Sequence, residues 1–197
     1  MSEAEILELH WEGPVKPTHM DMNEDALERM ARPGVYLCLQ HYPDAQRVRA
    51  YAGVTKDFRL RLREHVAATL GLTYDIADET GRVVFRHTHR DSLFDAARDI
   101  EVLHPLAAAE VQRMSWFFAL DDSDPYIPWH IVEGMLIRRL KSAALAGETI
   151  ADGAFIDVVN ERGGPAPEGP LVIRNTGSDD AIDILGPEIV WPVKEAA

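Results

Sequence analysis

Two stretches near the start of the chain alternate apolar and polar side chains. Residues 35–40 place an apolar side chain at every second position, and residues 47–52 repeat the pattern. A period of two is typical of half-buried β-strands. Residues 41–46 between them contain Pro43 and Asp44, which favour a turn. The pattern therefore predicts an antiparallel hairpin.

The predicted pairing of this hairpin brings two tyrosines together. If Gln40 pairs with Arg47, the constant index sum of an antiparallel pair places Tyr36 opposite Tyr51. Both tyrosines then share one face of the hairpin with Arg47 and Arg49.

A helix is predicted to follow the second strand. Phe58, Leu62 and Val66 recur at every fourth position and form a stripe that can pack on the hairpin. Thr55 is a suitable N-cap, and Asp57 in the first turn has a favourable charge for the helix dipole.

Two further elements complete the predicted core. Residues 114–120 have the composition of a third strand, and an apolar stripe from Ile131 to Leu140 predicts an amphipathic helix that carries Glu133. Residues 71–105, which lie between, are interpreted as an insertion that begins with a second hairpin or loop.

A set of motif residues occurs in order along these elements: Gly34-Val35-Tyr36, Tyr51-Ala52-Gly53, Thr55, Lys56-Asp57-Phe58, Arg61, His65 and Glu133. The interval of ten residues from the second tyrosine to an arginine, and of four more to a histidine, carries more weight than either triplet alone. The ordered set resembles the GIY-YIG nuclease family.

The resemblance implies a fold and a division of the chain. The implied fold class is α+β, a small three-stranded antiparallel sheet flanked by helices, with an insertion and terminal extensions. Residues 30–162 would form the nuclease domain, with the insertion at about 71–105. Residues 1–29 would be an acidic N-terminal extension and residues 163–197 a C-terminal extension.

The resemblance also implies an activity, the divalent-metal-dependent hydrolysis of phosphodiester bonds in DNA. Tyr36 or Tyr51 would orient or deprotonate the attacking water, and Arg61 would bind the scissile phosphate. His65 would relay a proton or orient a tyrosine. Glu133 would be the only protein ligand of a Mg²⁺ or Mn²⁺ ion. Asn160 is also included in the site, because its stretch resembles the one that carries the family's late asparagine.

The charge of the chain complicates this interpretation. The formal net charge is −13, whereas phosphate binding relies on lysine and arginine. Acidic residues crowd both ends, however, and basic residues concentrate in the middle. The side chains expected to contact DNA, or RNA, are Arg47, Arg49, Lys56, Arg59 and Arg63.

Two other classes of function stay open. The first is a catalytically silent protein of the same fold that regulates or binds a protein partner, and the net charge favours it. The second is a nucleic-acid binder without hydrolysis. Each site residue taken alone is commonly structural, since strand tyrosines usually pack and arginines such as Arg61 usually form salt bridges. His87 and His89 could chelate a metal, but a basic strand that faces phosphate is the preferred interpretation.

Cellular location follows from composition. The chain has no apolar run of about 18 residues, so no membrane contact is expected. The N-terminus is rich in glutamate and lacks the pattern of a secretion signal. Cys38 is the only cysteine and has no internal disulfide partner. These features predict a cytoplasmic protein.

Overall fold

The computed structural model describes residues 4–17, 28–88, 92–120, 128–160 and 163–191. Its strands are β1 (Glu5–Val15), β2 (Gly34–Tyr42), β3 (Arg47–Thr55), β4 (Ile76–Ala77), β5 (Val83–Phe85), β6 (Met114–Leu120), β7 (Phe155–Val158), β8 (Leu171–Gly177) and β9 (Glu188–Trp191). Its α-helices are α1 (Phe58–Leu70), α2 (Ser92–Arg98), α3 (Ile100–Arg113), α4 (Trp129–Ala146) and α5 (Asp179–Leu185). None of these helices is long and apolar enough to cross a lipid bilayer.

The main sheet has seven strands, in the order β7-β3-β2-β6-β1-β8-β9. The pairs β3 with β7 and β1 with β8 are parallel, and the other neighbours are antiparallel. The prediction of a small three-stranded antiparallel sheet with terminal extensions is therefore wrong. The hairpin and β6 do form three adjacent strands, but segments from both ends of the chain widen the sheet around them.

Strand β1 shows why the terminal segments were not predicted to join the main sheet. Leu7, Leu9 and Trp11 alternate with polar residues, and Leu9 and Trp11 are buried. The alternation is present in the sequence, with Glu8, His10 and Glu12 at the intervening positions. The position of β1 depends on its pairing with β8, which begins with Glu5 opposite Leu171. These two residues are more than 160 positions apart in the chain.

The hairpin of β2 and β3 forms with a register two residues away from the predicted one. Gln40 pairs with Arg49, and Tyr36 pairs with Gly53. The strands run further than expected, to Tyr42, because a short 3₁₀ turn and a left-handed Gln46 close the connection. A shift of two preserves the alternation of faces, so both tyrosines still lie on the same side.

The two faces of the sheet carry different cores. Val35, Leu37 and Leu39 of β2 point to the face that helices α4 and α5 cover. Tyr36 and Cys38 point to the other face, which helix α1 covers. The helix that carries Glu133 and the helix that carries Arg61 therefore pack on opposite sides.

Helix α1 begins two residues later than predicted, because its N-cap is Asp57 and not Thr55. Asp57 is the N-cap, and its carboxylate Oδ1 accepts a hydrogen bond from Leu60 N at 2.8 Å. The hydroxyl of Thr55 contacts the backbone N and O of Asp57 instead. The acidic side chain was thus correctly located near the positive end of the dipole, but it is the cap itself.

The residues between α1 and β6 form a small layer with its own core. Strands β4 and β5 pair as a second antiparallel sheet. Helices α2 and α3 follow and are separated at Asp99. Leu72, Ile76 and Phe85 are buried against α2 and α3.

Candidate active site

Three of the predicted site residues meet at one hydroxyl. Arg61 Nε donates a hydrogen bond to the Tyr36 hydroxyl at 3.1 Å, and His65 Nε2 lies 3.2 Å from the same oxygen. Tyr36 extends from β2, whereas Arg61 and His65 are four apart on α1 and therefore share a side of that helix. The predicted proximity of these three residues is found in the structure.

Burial determines the protonation state of this cluster. Burial, together with the positive charge of Arg61, lowers the pKa of His65 to about 4, so the imidazole is neutral near pH 7. Burial and the neighbouring Tyr51 raise the pKa of Tyr36, and the opposing effect of Arg61 is smaller. Tyr36 is therefore a neutral phenol, not a phenolate. Since Arg61 donates to the Tyr36 oxygen, the hydroxyl proton of Tyr36 is free to be donated to Nε2 of neutral His65.

Tyr51 lies beside this cluster and interacts with the Tyr36 side chain. Its ring centroid is 6.0 Å from that of Tyr36 and 5.6 Å from that of His65. Trp116 packs against His65 at 5.0 Å from the other side. Tyr51 is partly exposed, so of the two tyrosines it is the one that a solvent molecule reaches more readily.

The predicted nucleic-acid contacts divide into two groups. Lys56, Arg59 and Arg63 are exposed around α1. Arg47 is also exposed and lies 3.9 Å from Asp157, whereas Arg49 is half-buried and reaches the Tyr42 hydroxyl at 3.4 Å. Arg49 therefore lies in a wall of the site instead of on its outer surface.

Glu133 does not join the tyrosine cluster in the described contacts. It lies on α4, whose neighbouring residues Val132, Met135 and Leu136 pack on the opposite face of the sheet. Its carboxylate lies 3.8 Å from His130 Nδ1.

The residues present do not fit a metal ion shared by Glu133 and the tyrosines. Among the described residues there is no group of three or more histidine, cysteine, aspartate and glutamate side chains that could hold a metal. His87, considered above with His89 as a less favoured metal pair, contacts Asp75 at 2.9 Å through Nδ1, and His89 lies outside the described residues.

Asn160 supports the strand that carries Tyr51. Its side-chain oxygen accepts a hydrogen bond from Ala52 N at 2.9 Å, and its side-chain nitrogen donates to Ala52 O at 2.8 Å. The amide thus continues the edge pairing that β7 makes with β3 up to Ala50. This buried contact holds the backbone beside Tyr51 in place.

Sequence reasoning missed a buried carboxylate next to the cluster. Glu110 of α3 is only 1% exposed and accepts hydrogen bonds from Gln40 at 2.7 Å and from Tyr42 at 2.8 and 2.9 Å. Burial raises its pKa. One signal was available, because Glu110 falls on the same apolar stripe as Leu103 and Ala107, where a charged residue is unusual.

Searches of protein-family models, curated proteins and solved structures found no match to this chain. The resemblance to the GIY-YIG nucleases therefore stays a prediction that depends on the residues quoted above.

Proposed function

We propose that this protein hydrolyses phosphodiester bonds of DNA as an endonuclease, at the cluster of Tyr36, Tyr51, Arg61 and His65. The observation that supports the proposal is the shared hydroxyl, since Arg61 Nε and His65 Nε2 both lie within 3.2 Å of Tyr36. In this arrangement Arg61 supplies a cation for a phosphate, and the unprotonated imidazole of His65 has a lone pair that can take a proton.

In this proposal each group has one task. Arg61, whose side chain is 31% exposed, binds an oxygen of the scissile phosphate. The attacking water forms a bond to phosphorus and loses a proton, which neutral His65 receives through the Tyr36 hydroxyl. The bond from phosphorus to the leaving oxygen breaks, and that oxygen takes a proton from solvent. Tyr51 orients the water.

A second candidate is a catalytically silent protein that regulates or binds a protein partner. The near-complete burial of Tyr36, which is 1% exposed, favours it. Tyr36 also packs against Trp116 at 5.4 Å and Phe58 at 6.2 Å, as a purely structural tyrosine does.

Cleavage of supercoiled and linear DNA by the purified protein decides between the two, with Arg61→Ala as the test variant. Loss of one preorganised donor typically lowers the rate about 10²- to 10³-fold. Arg98→Ala is a matched control, because Arg98 is an exposed arginine in α2. Equal cleavage by wild type and Arg61→Ala would refute the site, and no cleavage by the wild type would favour the silent protein.

The same assay examines the metal ion that the resemblance implies. Cleavage is measured with Mg²⁺, with Mn²⁺ and with a chelator, for wild type and Glu133→Gln. Gln keeps nearly the same volume but removes the anionic oxygen that a hard cation prefers. A requirement for metal that Glu133→Gln abolishes would support the predicted ligand. A metal requirement that the variant retains would assign the ion to another site.

A further inference from the structure

A cavity of about 430 Å³ opens beside the candidate active site. Its size lies within the usual range for small-molecule sites, about 300–1,000 Å³. It lies between the main sheet and the insertion, because β2, β3 and α1 supply one part of its wall and residues 74–88 and α3 supply the other.

Four aromatic rings line this cavity. Tyr51, His65, Tyr74 and His87 follow one another around it. The ring centroids are 5.6 Å apart for Tyr51 and His65, 5.4 Å for His65 and Tyr74, and 6.5 Å for Tyr74 and His87. Rings at these distances leave π-faces and edges against which a flat heteroaromatic ligand packs.

Other residues that line the cavity are polar or charged, namely Gln40, Arg49, Thr69 and Glu110. Amide, guanidinium and carboxylate groups are the side chains that recognise the edges of nucleobases in proteins.

The cavity and the proposed phosphate site adjoin each other. Tyr51 and His65 belong to both. Arg61 precedes His65 by one helical turn of α1, and both side chains contact the Tyr36 hydroxyl. A phosphate bound at Arg61 would therefore lie beside the cavity that His65 and Tyr51 line.

We propose that this cavity is a nucleobase-binding pocket, which receives one unstacked base of the strand whose phosphate contacts Arg61. The inference deepens the proposed function and rests on it for the identity of the strand. A base can enter only when it has left the stack, so the pocket selects single-stranded or locally opened DNA.

The test compares two short single strands of equal length, oligodeoxyadenosine and a strand in which every base is replaced by an abasic tetrahydrofuran residue. Both carry the same phosphates, so their difference in affinity measures the bases alone. Stacking of a base is worth about 5- to 150-fold in affinity. We expect the wild type to prefer the strand that carries bases by a factor in this range.

Variants at Thr69 separate the cavity from the outer surface. Thr69 is 3% exposed and lines the cavity, so Thr69→Leu adds volume inside it. Thr69→Val keeps the original shape and, like Leu, loses the hydrogen bond from Oγ1 to His65 O. We expect Thr69→Leu to lose most of the preference for bases and Thr69→Val to retain it. Tyr74→Leu and Tyr74→Phe repeat the comparison at a partly exposed wall residue, where folding is less sensitive to substitution.

Equal binding of both strands by the wild type would overturn the pocket, and so would an unchanged preference in Thr69→Leu and Tyr74→Leu. Urea unfolding of each variant identifies one that has failed to fold, in which case the other position gives the answer. The binding assay needs no cleavage. A wild type that prefers bases but cuts no DNA would therefore support the pocket while refuting the hydrolysis.

Discussion

Gly53 lies directly under the phenol of Tyr36. The two residues are partners in the β2 and β3 pairing, and a Cβ added at position 53 would collide with Cζ and the hydroxyl of Tyr36. The missing side chain is thus what allows the Tyr36 ring to lie over the strand and reach Arg61 and His65. This gives the last glycine of Tyr51-Ala52-Gly53 a physical role that the triplet alone does not reveal.

Substitution of Gly53 by Ala should displace Tyr36. We expect the free energy of unfolding to fall by about 1–3 kcal/mol, as is usual when a methyl group is forced into a packed site. Urea unfolding measures this change. Gly163→Ala is the control, because a Cβ there meets nothing within 4 Å, and it should change stability by less than about 0.5 kcal/mol. An equally small effect at Gly53 would contradict the close approach.

His65 should make the protein less stable in mild acid. Its pKa is about 4 when folded, against 6.5 in a free side chain. Between these two values the unfolded chain binds a proton that the folded protein does not, so the free energy of unfolding falls as the pH falls through this window. The contribution is on the order of 3 kcal/mol and is constant below the folded pKa.

The measurement is urea unfolding of wild type and His65→Gln from pH 7 to pH 4. The difference between the two proteins isolates His65 from other groups, including Glu110, whose raised pKa acts in the opposite direction. The wild type should lose stability relative to the variant as the pH falls. Parallel pH profiles would show that His65 is protonated normally.

Glu110 should be a strong structural determinant of the wall between α3 and the sheet. Glu110→Ala leaves the Tyr42 hydroxyl and the Gln40 amide without their acceptor. Each buried polar group left unsatisfied costs about 1–3 kcal/mol, so urea unfolding should show a loss of a few kcal/mol. Glu110→Gln keeps one acceptor oxygen and should lose less. Equal stability of wild type and Glu110→Ala would mean that water replaces the carboxylate.

Arg59 and Arg63 should contribute to nucleic-acid affinity through charge. Replacing both with Glu removes two exposed cations of α1 without disturbing its buried side. Binding of single-stranded DNA should weaken, and the slope of log affinity against log salt should become shallower by about 0.7 or more per arginine. Arg98→Glu is the control and should leave that slope unchanged, because Arg98 is an exposed arginine on α2. An unaltered slope in the double variant would place the DNA contact elsewhere.

Local patterns in the sequence predicted the centre of the structure well. The alternation in β2 and β3 and the four-residue spacing in α1 put Tyr36, Tyr51, Arg61 and His65 on one side of the sheet, as found. The two-residue error in the predicted register did not change which residues share a face, because strand faces repeat with a period of two. Such features depend on near neighbours in the chain, so the sequence itself contains them.

Only the tertiary structure decided which strands are neighbours and what surrounds the site. The parallel pairing of β1 with β8 joins segments more than 160 residues apart, and no local period reveals such a contact. The same holds for α4. Its apolar stripe shows that one side of the helix is buried, but not which face of the sheet the helix covers. The stripe therefore could not predict on which face Glu133 lies. The cavity likewise depends on the layer between α1 and β6, which packs over β2 and brings Tyr74 and Glu110 next to Tyr51 and Gln40. The sequence determined the periodicity of each element, whereas the burial of apolar surface between distant elements decided their arrangement.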